Sequence, residues 1–328
     1  MSATQKRSMV KAVRDGLANE MERDDRVVVL GEDVGEAGGV FRATEGLIDD
    51  FGEERVIDTP LAESGILGNA IGMAAYGLRP VPEMQFSGFM YPAFDQLVSH
   101  AARLRTRSRG RYTCPLVVRA PYGGGIRAPE HHSESKEAFY VHEPGLKVVV
   151  PSTPYDAKGL LLASIRDPDP VVFLEPKRIY RTHPEEIPND PYTVDLGEAT
   201  VRRSGEDLSL YTWGAMVPIS LAAANRASED GIDVEVVDLR TLSPLDTDTI
   251  VKSFKKTGRA VIVHEAPRTG GLSAELTTRI QEEAVMYQEA PIGRVTGFDV
   301  PVPLPKLEDY HMPGETRILD EIRRIATF

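Results

Sequence analysis

The sequence predicts an α/β protein of two stacked domains, each built on a mainly parallel sheet. Short apolar runs alternate with stretches of helical periodicity, and this series occurs twice. A polar, proline-spaced stretch over 182–192 separates the two series. Strands buried on both faces read as unbroken apolar runs, and intervening helices supply the crossovers a parallel sheet needs. At 328 residues the chain is long enough for two cores.

The first series opens with an amphipathic helix over 9–21 and a strand over 26–31. Residues 55–58 are extended and stop at Pro60, which suits the first turn of a helix or the turn before it. A helix is expected over 64–75, another over 93–104, then a strand over 115–119. A strand over 147–150, a helix over 155–165 and a strand over 171–174 complete this half. The second series places strands at 208–211, 234–237 and 260–263, with helices near 217–227, 246–254, 273–284 and 318–325. The expected division is 1–185, a linker over 186–204, and 205–328.

Composition narrows the function. A net charge of −12 argues against nonspecific binding to nucleic acid or anionic membranes. The one cysteine, Cys114, excludes an internal disulfide and any multi-cysteine metal site, and no stretch approaches a membrane span, so a reducing cytoplasm is expected. The 28 arginines against 10 lysines are compatible with a salt-adapted or GC-rich source.

Glu63 stands out by its setting, Asp58-Thr59-Pro60-Leu61-Ala62-Glu63-Ser64-Gly65-Ile66-Leu67-Gly68-Asn69-Ala70-Ile71-Gly72. A carboxylate at the mouth of an apolar helix loses water there, which is costly unless a partner compensates. Gly65, Gly68 and Gly72 share one helical face. Glycine inside a helix costs roughly 1 kcal/mol against alanine, so close backbone packing on that face is expected. Two readings stand here: a nitrogen heterocycle bound as a cofactor, or a packed core helix whose Glu63 complements the helix dipole.

The loop Gly31-Glu32-Asp33-Val34-Gly35-Glu36 lacks the G-x-G-x-x-G spacing and would set three carboxylates against a pyrophosphate, so it reads as a structural or substrate-side wall. Pro129-Glu130-His131-His132-Ser133-Glu134-Ser135 follows the glycine run Gly123-Gly124-Gly125. Adjacent histidines point apart, which disfavours a shared metal. One of them can move a proton near neutral pH, the alternative being two solvated side chains. The arginines at 103, 105, 107, 109 and 111 have no interleaved aromatics for base stacking and read as a subunit interface or solvated face.

Several segments occur together, in this order, in one group of enzymes: Asp58-Thr59-Pro60-Leu61-Ala62-Glu63-Ser64-Gly65, Glu83-Met84-Gln85-Phe86, Pro92-Ala93-Phe94-Asp95-Gln96, His132-Ser133-Glu134-Ser135, Pro144-Gly145-Leu146-Lys147-Val148-Val149-Val150-Pro151, Val237-Asp238-Leu239-Arg240-Thr241 and His264-Glu265-Ala266-Pro267. The chain resembles, over its whole length, the beta subunit of the thiamin-diphosphate-dependent decarboxylase component of 2-oxo acid dehydrogenase complexes. The resemblance implies a pyrimidine-binding first domain, a transketolase C-terminal-like second domain, and an α2β2 heterotetramer. It implies that Glu63 hydrogen-bonds the aminopyrimidine of thiamin diphosphate and favours its imino tautomer, with Gln85 and Phe89 beside the ring. His132, rather than His131, matches the loop histidine that assists acyl transfer to the lipoyl arm of the dihydrolipoyl acyltransferase component. Leu116, Ser164, Ile165, Asp167 and Asp169 match a potassium-binding loop in relatives. The terminal helix, ending at Phe328, is implied to help dock the acyltransferase.

Relatives that anchor the diphosphate use a G-D-G segment with later asparagines to hold magnesium. No G-D-G occurs in the 328 residues, so the alpha subunit is expected to supply that site. The glycine run at 123–125 and the 144–151 segment resemble pyruvate-specific relatives, whereas the stretch over 264–271 looks closer to branched-chain ones. A self-sufficient transketolase-type homodimer and a noncatalytic α/β scaffold are the competing readings.

Overall fold

A computed structural model describes residues 3–328. In chain order the strands are β1 (Thr4–Arg7), β2 (Val27–Gly31), β3 (Val56–Asp58), β4 (Arg79–Glu83), β5 (Val117–Tyr122), β6 (Lys147–Val149) and β7 (Val171–Pro176). They continue with β8 (Glu185–Pro188), β9 (Thr200–Arg203), β10 (Leu208–Thr212), β11 (Val234–Asp238), β12 (Thr241–Ser243), β13 (Ala260–Pro267) and β14 (Gly293–Gly297). One sheet has the order β12-β6-β7-β5-β4-β2-β3, a second has β14-β13-β10-β11-β9, and β1 pairs with β8. Pairing is parallel in both sheets except at the edges, where β12 and β9 run antiparallel to β6 and β11.

The unbroken apolar runs have the expected cause. Val117 and Phe173 face one core, with Leu17, Met21 and Leu161, while their neighbours Val118 and Leu174 face the other, with Leu67 and Leu97. Successive side chains on a strand point to opposite faces, so a sheet covered on both sides needs every position apolar.

β4 departs from the sequence expectation. Its residues Arg-Pro-Val-Pro-Glu carry two prolines, which normally exclude a central strand. The prolines sit at alternate positions, so both missing N–H groups face the same neighbour. Arg79 N donates to Arg26 on the β2 side, and β4 keeps a full register with β2. On the β5 side the register reduces to Glu83 against Arg119, with Met84 N donating to the Arg119 carbonyl at 2.9 Å.

β9 lies inside the span expected as linker, as does most of β8. With one apolar residue, Val201, β9 shows no periodicity; pairing with β11 makes it a strand. β12 belongs to the second half of the chain yet extends the first sheet through Thr241 opposite Val149. Arg202 and Arg240 reinforce this junction, Arg202 pairing with Asp156 and Asp238 and Arg240 with Asp156. The helix expected over 93–104 is instead a π-helical segment, Gln96–Ala101, followed by a short helix, Leu104–Arg107. The residue types there offer no account of the wide turn.

Candidate functional site

Four neighbouring strands, β5, β4, β2 and β3, end on the same edge of the first sheet. The loops leaving the carboxyl ends of parallel strands are where such sheets bind ligands. β2 leads to Glu32 and Asp33, β3 to Glu63, β4 to Gln85, Phe86 and Phe89, and β5 to the loop bearing His132.

Glu63 is the first residue of the helix Glu63–Ala75 and is half-buried. Its carboxylate has no hydrogen-bond or ion-pair partner among the described residues. The carboxyl of Glu32 is buried and its pKa is raised, first by burial and then by the charges of Glu63 and Asp33. Gln85 Nε2 donates to Asp33 Oδ2 at 3.0 Å. Phe86, Phe89 and His132 form an aromatic cluster with centroid separations of 5.3 Å for Phe86–Phe89, 4.4 Å for Phe86–His132 and 5.0 Å for Phe89–His132.

Among the described residues the glycine face of the Glu63 helix is largely uncovered, contrary to the expectation of a close contact. Gly65 and Gly72 are exposed; a Cβ at Gly72 would meet nothing within 4 Å, one at Gly65 would meet Ala62 at 3.6 Å, and one at Gly68 would lie 3.4 Å from Gln96. Leu61 beside it is 79% exposed. The apolar mouth is open.

The two loop histidines part as adjacent side chains do. His131 is exposed, near Tyr91, with φ at +65°. His132 is half-buried, and its Nδ1 lies 2.8 Å from the Glu130 carbonyl. A carbonyl only accepts, so Nδ1 carries the proton and Nε2 is the free basic nitrogen.

Beneath the loops lies a buried ion network. Arg119 is fully buried, donating to Glu83 at 2.8 Å and to both oxygens of Glu175 at 2.6 and 3.0 Å, with Tyr180 also donating to Glu175. Removing one partner from such a network typically costs about 3–5 kcal/mol, because a charge is left buried alone. The network ties β4, β5 and β7 together, with Glu83 two residues before Gln85.

The residues implied for potassium lie around the helix Pro154–Arg166 and the turn after it. Asp167 pairs with Lys147 and Asp169 with Arg105, so both carboxylates are neutralised. Ser164 Oγ donates to Leu160, the Leu116 carbonyl accepts from Val171, and the carbonyls of Ile165 and Asp167 accept from Arg79. Backbone oxygens with a remaining lone pair are the ligands this loop would offer potassium. A groove of about 870 Å³ between the domains, lined by Phe94, Phe139, Leu242, Pro244 and Leu272, shares no residue with the Glu63–His132 cluster.

Glu32 lies in the 31–36 loop expected to be a structural or substrate-side wall. Phe86 and Arg119 also belong to the site, Phe86 with no sequence signal of its own beyond the Glu83–Phe86 segment. Arg119, in the middle of an apolar run, was the strongest unused signal, since an arginine there must be paired.

Residues 5–183 match the transketolase pyrimidine-binding domain and residues 197–318 the transketolase C-terminal domain. The chain is 51% identical over 97% of its length to the pyruvate dehydrogenase E1 component subunit beta of Acholeplasma laidlawii, covering 98% of that protein. It is 50% identical over 98% of its length to the subunit of the same name from Bacillus subtilis, covering 99% of it. A solved split-gene transketolase, titled an inactive beta4 tetramer, superposes with a TM-score of 0.81 over 98% of both chains at 22% identity, which speaks to fold alone. With the carboxyl-edge cluster in place on this fold, the chain belongs to the family of pyruvate dehydrogenase E1 component beta subunits, built from transketolase-type pyrimidine-binding and C-terminal domains.

Proposed function

We propose that this chain is the pyrimidine-side half of a thiamin-diphosphate-dependent 2-oxo acid decarboxylase, working in the cytoplasm with an alpha subunit and acylating the lipoyl group of a dihydrolipoyl acyltransferase. The observation carrying this is the unpaired Glu63 carboxylate at the carboxyl edge of the sheet, beside a helix face left open. Glu63 would hold the pyrimidine ring nitrogen, with Gln85 and Phe89 along the ring. When bound, thiamin diphosphate supplies the electron sink for loss of carbon dioxide. The alpha subunit would bring the magnesium that holds the diphosphate, since no G-D-G segment occurs here.

Burial, and after it the charges of Glu63 and Asp33, raise the pKa of Glu32 beside the Glu63 carboxylate. His132 serves the second half of the reaction. As the lipoyl disulfide is reduced by the decarboxylated fragment, its S–S bond breaks, one sulfur takes the acyl group and the other leaves as a thiolate. Nε2 of His132, once protonated, would give that thiolate its proton.

Pyruvate is the proposed substrate, in keeping with the relatives' names. The 264–271 segment, which looks closer to branched-chain relatives, bears on packing: His264 is buried, stacked on Trp213 at 5.3 Å and bonded to Ser273 at 2.9 Å. Replacing Glu63 with Gln keeps the shape and removes the ionisable group. Decarboxylation by the pair coexpressed with its alpha subunit should fall at least about 100-fold. An unchanged rate would refute the assignment.

A further inference from the structure

The loop over 123–135, which carries His132, is fastened by two carboxylates from the other domain. Its base closes where Gly123 N donates to the Glu134 carbonyl at 2.9 Å and Lys177 Nζ donates to the Gly123 carbonyl at 2.5 Å. Glu265, on β13, accepts from Gly124 N at 2.9 Å and from the Ser135 hydroxyl at 3.4 Å. One step further out, Glu308 accepts from Gly125 N at 2.8 Å, Arg127 N at 2.6 Å and the Ser133 hydroxyl at 3.1 Å. Each carboxylate therefore reaches both limbs of the loop, like two rungs of a ladder.

The glycine run is explained by these rungs. A Cβ on Gly123 would lie 2.6 Å from Glu265 Oε2, and one on Gly124 would lie 2.9 Å from Glu308 Oε1. Gly123 and Gly125 also hold left-handed φ values of +80° and +93°. Glu308 itself is 1% exposed, and charge-assisted bonds to backbone N–H groups are the strong kind.

Ser133 directly follows His132. On the other side of the loop the His131 carbonyl presses on Gly88, where a Cβ would come within 2.0 Å. The imidazole between Phe86 and Phe89 is thus set from two sides, by the segment Ser87–Met90 and by Glu308.

We infer that Glu308 is a positioning residue for His132, holding the loop from the C-terminal domain so that Nε2 meets the lipoyl sulfur. The inference rests on the reading of His132 given above. Its test uses the protein coexpressed with its alpha subunit, with thiamin diphosphate and magnesium present. Two rates are measured on each variant: decarboxylation with ferricyanide as electron acceptor, and acylation of a free lipoyl domain. Glu308→Gln turns one acceptor oxygen into a donor facing an N–H group. The ratio of acylation to decarboxylation should fall about 10- to 100-fold, the cost of a catalytic group misplaced by about an ångström. Glu308→Asp, which keeps both acceptors on a shorter stem, should recover part of that ratio. An unchanged ratio, or equal losses in both rates, would overturn the inference. His132→Gln is run in parallel: if it leaves the ratio unchanged, the histidine's role fails and the inference with it. If His132→Gln lowers the ratio and Glu308→Gln does not, only the inference fails. Should Glu308→Gln not assemble, Ser133→Ala removes one of the three bonds; a smaller drop in the same ratio supports the inference, and none overturns it.

Discussion

Buried ionisable side chains make a pH dependence of stability an expected property of this fold. Glu137, at the start of the helix Glu137–Val141, is 1% exposed, and one of its oxygens has no partner. Burial pushes its pKa up to about 7, with the charge of Glu265 adding and hydrogen bonds from its own backbone and Trp213 opposing. Unfolded, it titrates near 4.5, so between about 4.5 and 7 the fold keeps a proton the unfolded chain has released. Its stabilisation is complete below pH 4.5 and is lost as pH rises through 7, by at most about 3 kcal/mol. Thermal unfolding at pH 5 and pH 8 should show Glu137→Gln closing much of the gap between those two values. An identical gap in variant and parent would show that Glu137 does not hold its proton. Side chains of this kind were the least legible in the sequence. Glu63 announced itself through its glycine-studded setting, whereas Glu137, Glu265 and Glu308 look like ordinary surface carboxylates until distant segments fold over them.

The strands show what local pattern can and cannot reveal. β2, β5, β6, β7, β10, β11 and β13 were readable because burial on both faces demands apolar runs. β4 was not, because prolines count against a central strand. Their alternate spacing leaves one neighbour fully paired, a property of register that no propensity captures. β9 and β12 draw their strand character from partners elsewhere in the chain, so their own residues carried little signal. The Glu63 helix was placed correctly, but its glycine face was expected to be covered and is open. That difference separates what the chain does alone from what it does in company. Gly72→Leu should leave folding of the isolated chain intact, since Gly72 is exposed and a Cβ added there meets nothing within 4 Å. In the proposed complex, the same change should block assembly with the alpha subunit. Size-exclusion chromatography of the coexpressed pair distinguishes the outcomes, and normal assembly would show that the partner does not pack on this face.

At the scale of the whole molecule, the two domains meet at the candidate site. The carboxyl edge of the first sheet supplies Glu63, Gln85, Phe89 and His132, and the second domain braces the histidine loop through Glu265 and Glu308. The terminal helix Glu315–Ala326 spends its apolar face, Ile318, Leu319, Ile322 and Ile325, on its own domain, leaving Phe328 exposed beyond it. Among the described residues no cluster of His, Cys, Asp or Glu is arranged to hold a metal ion. Nor, among the described residues, is any helix long and apolar enough to cross a membrane.

Calorimetric titration of thiamin diphosphate with magnesium, into the isolated chain and into the chain mixed with its alpha subunit, puts this account at risk. The isolated chain should show no magnesium-dependent binding, and the pair tight binding that Glu63→Gln weakens. Tight magnesium-dependent binding to the isolated chain would contradict it.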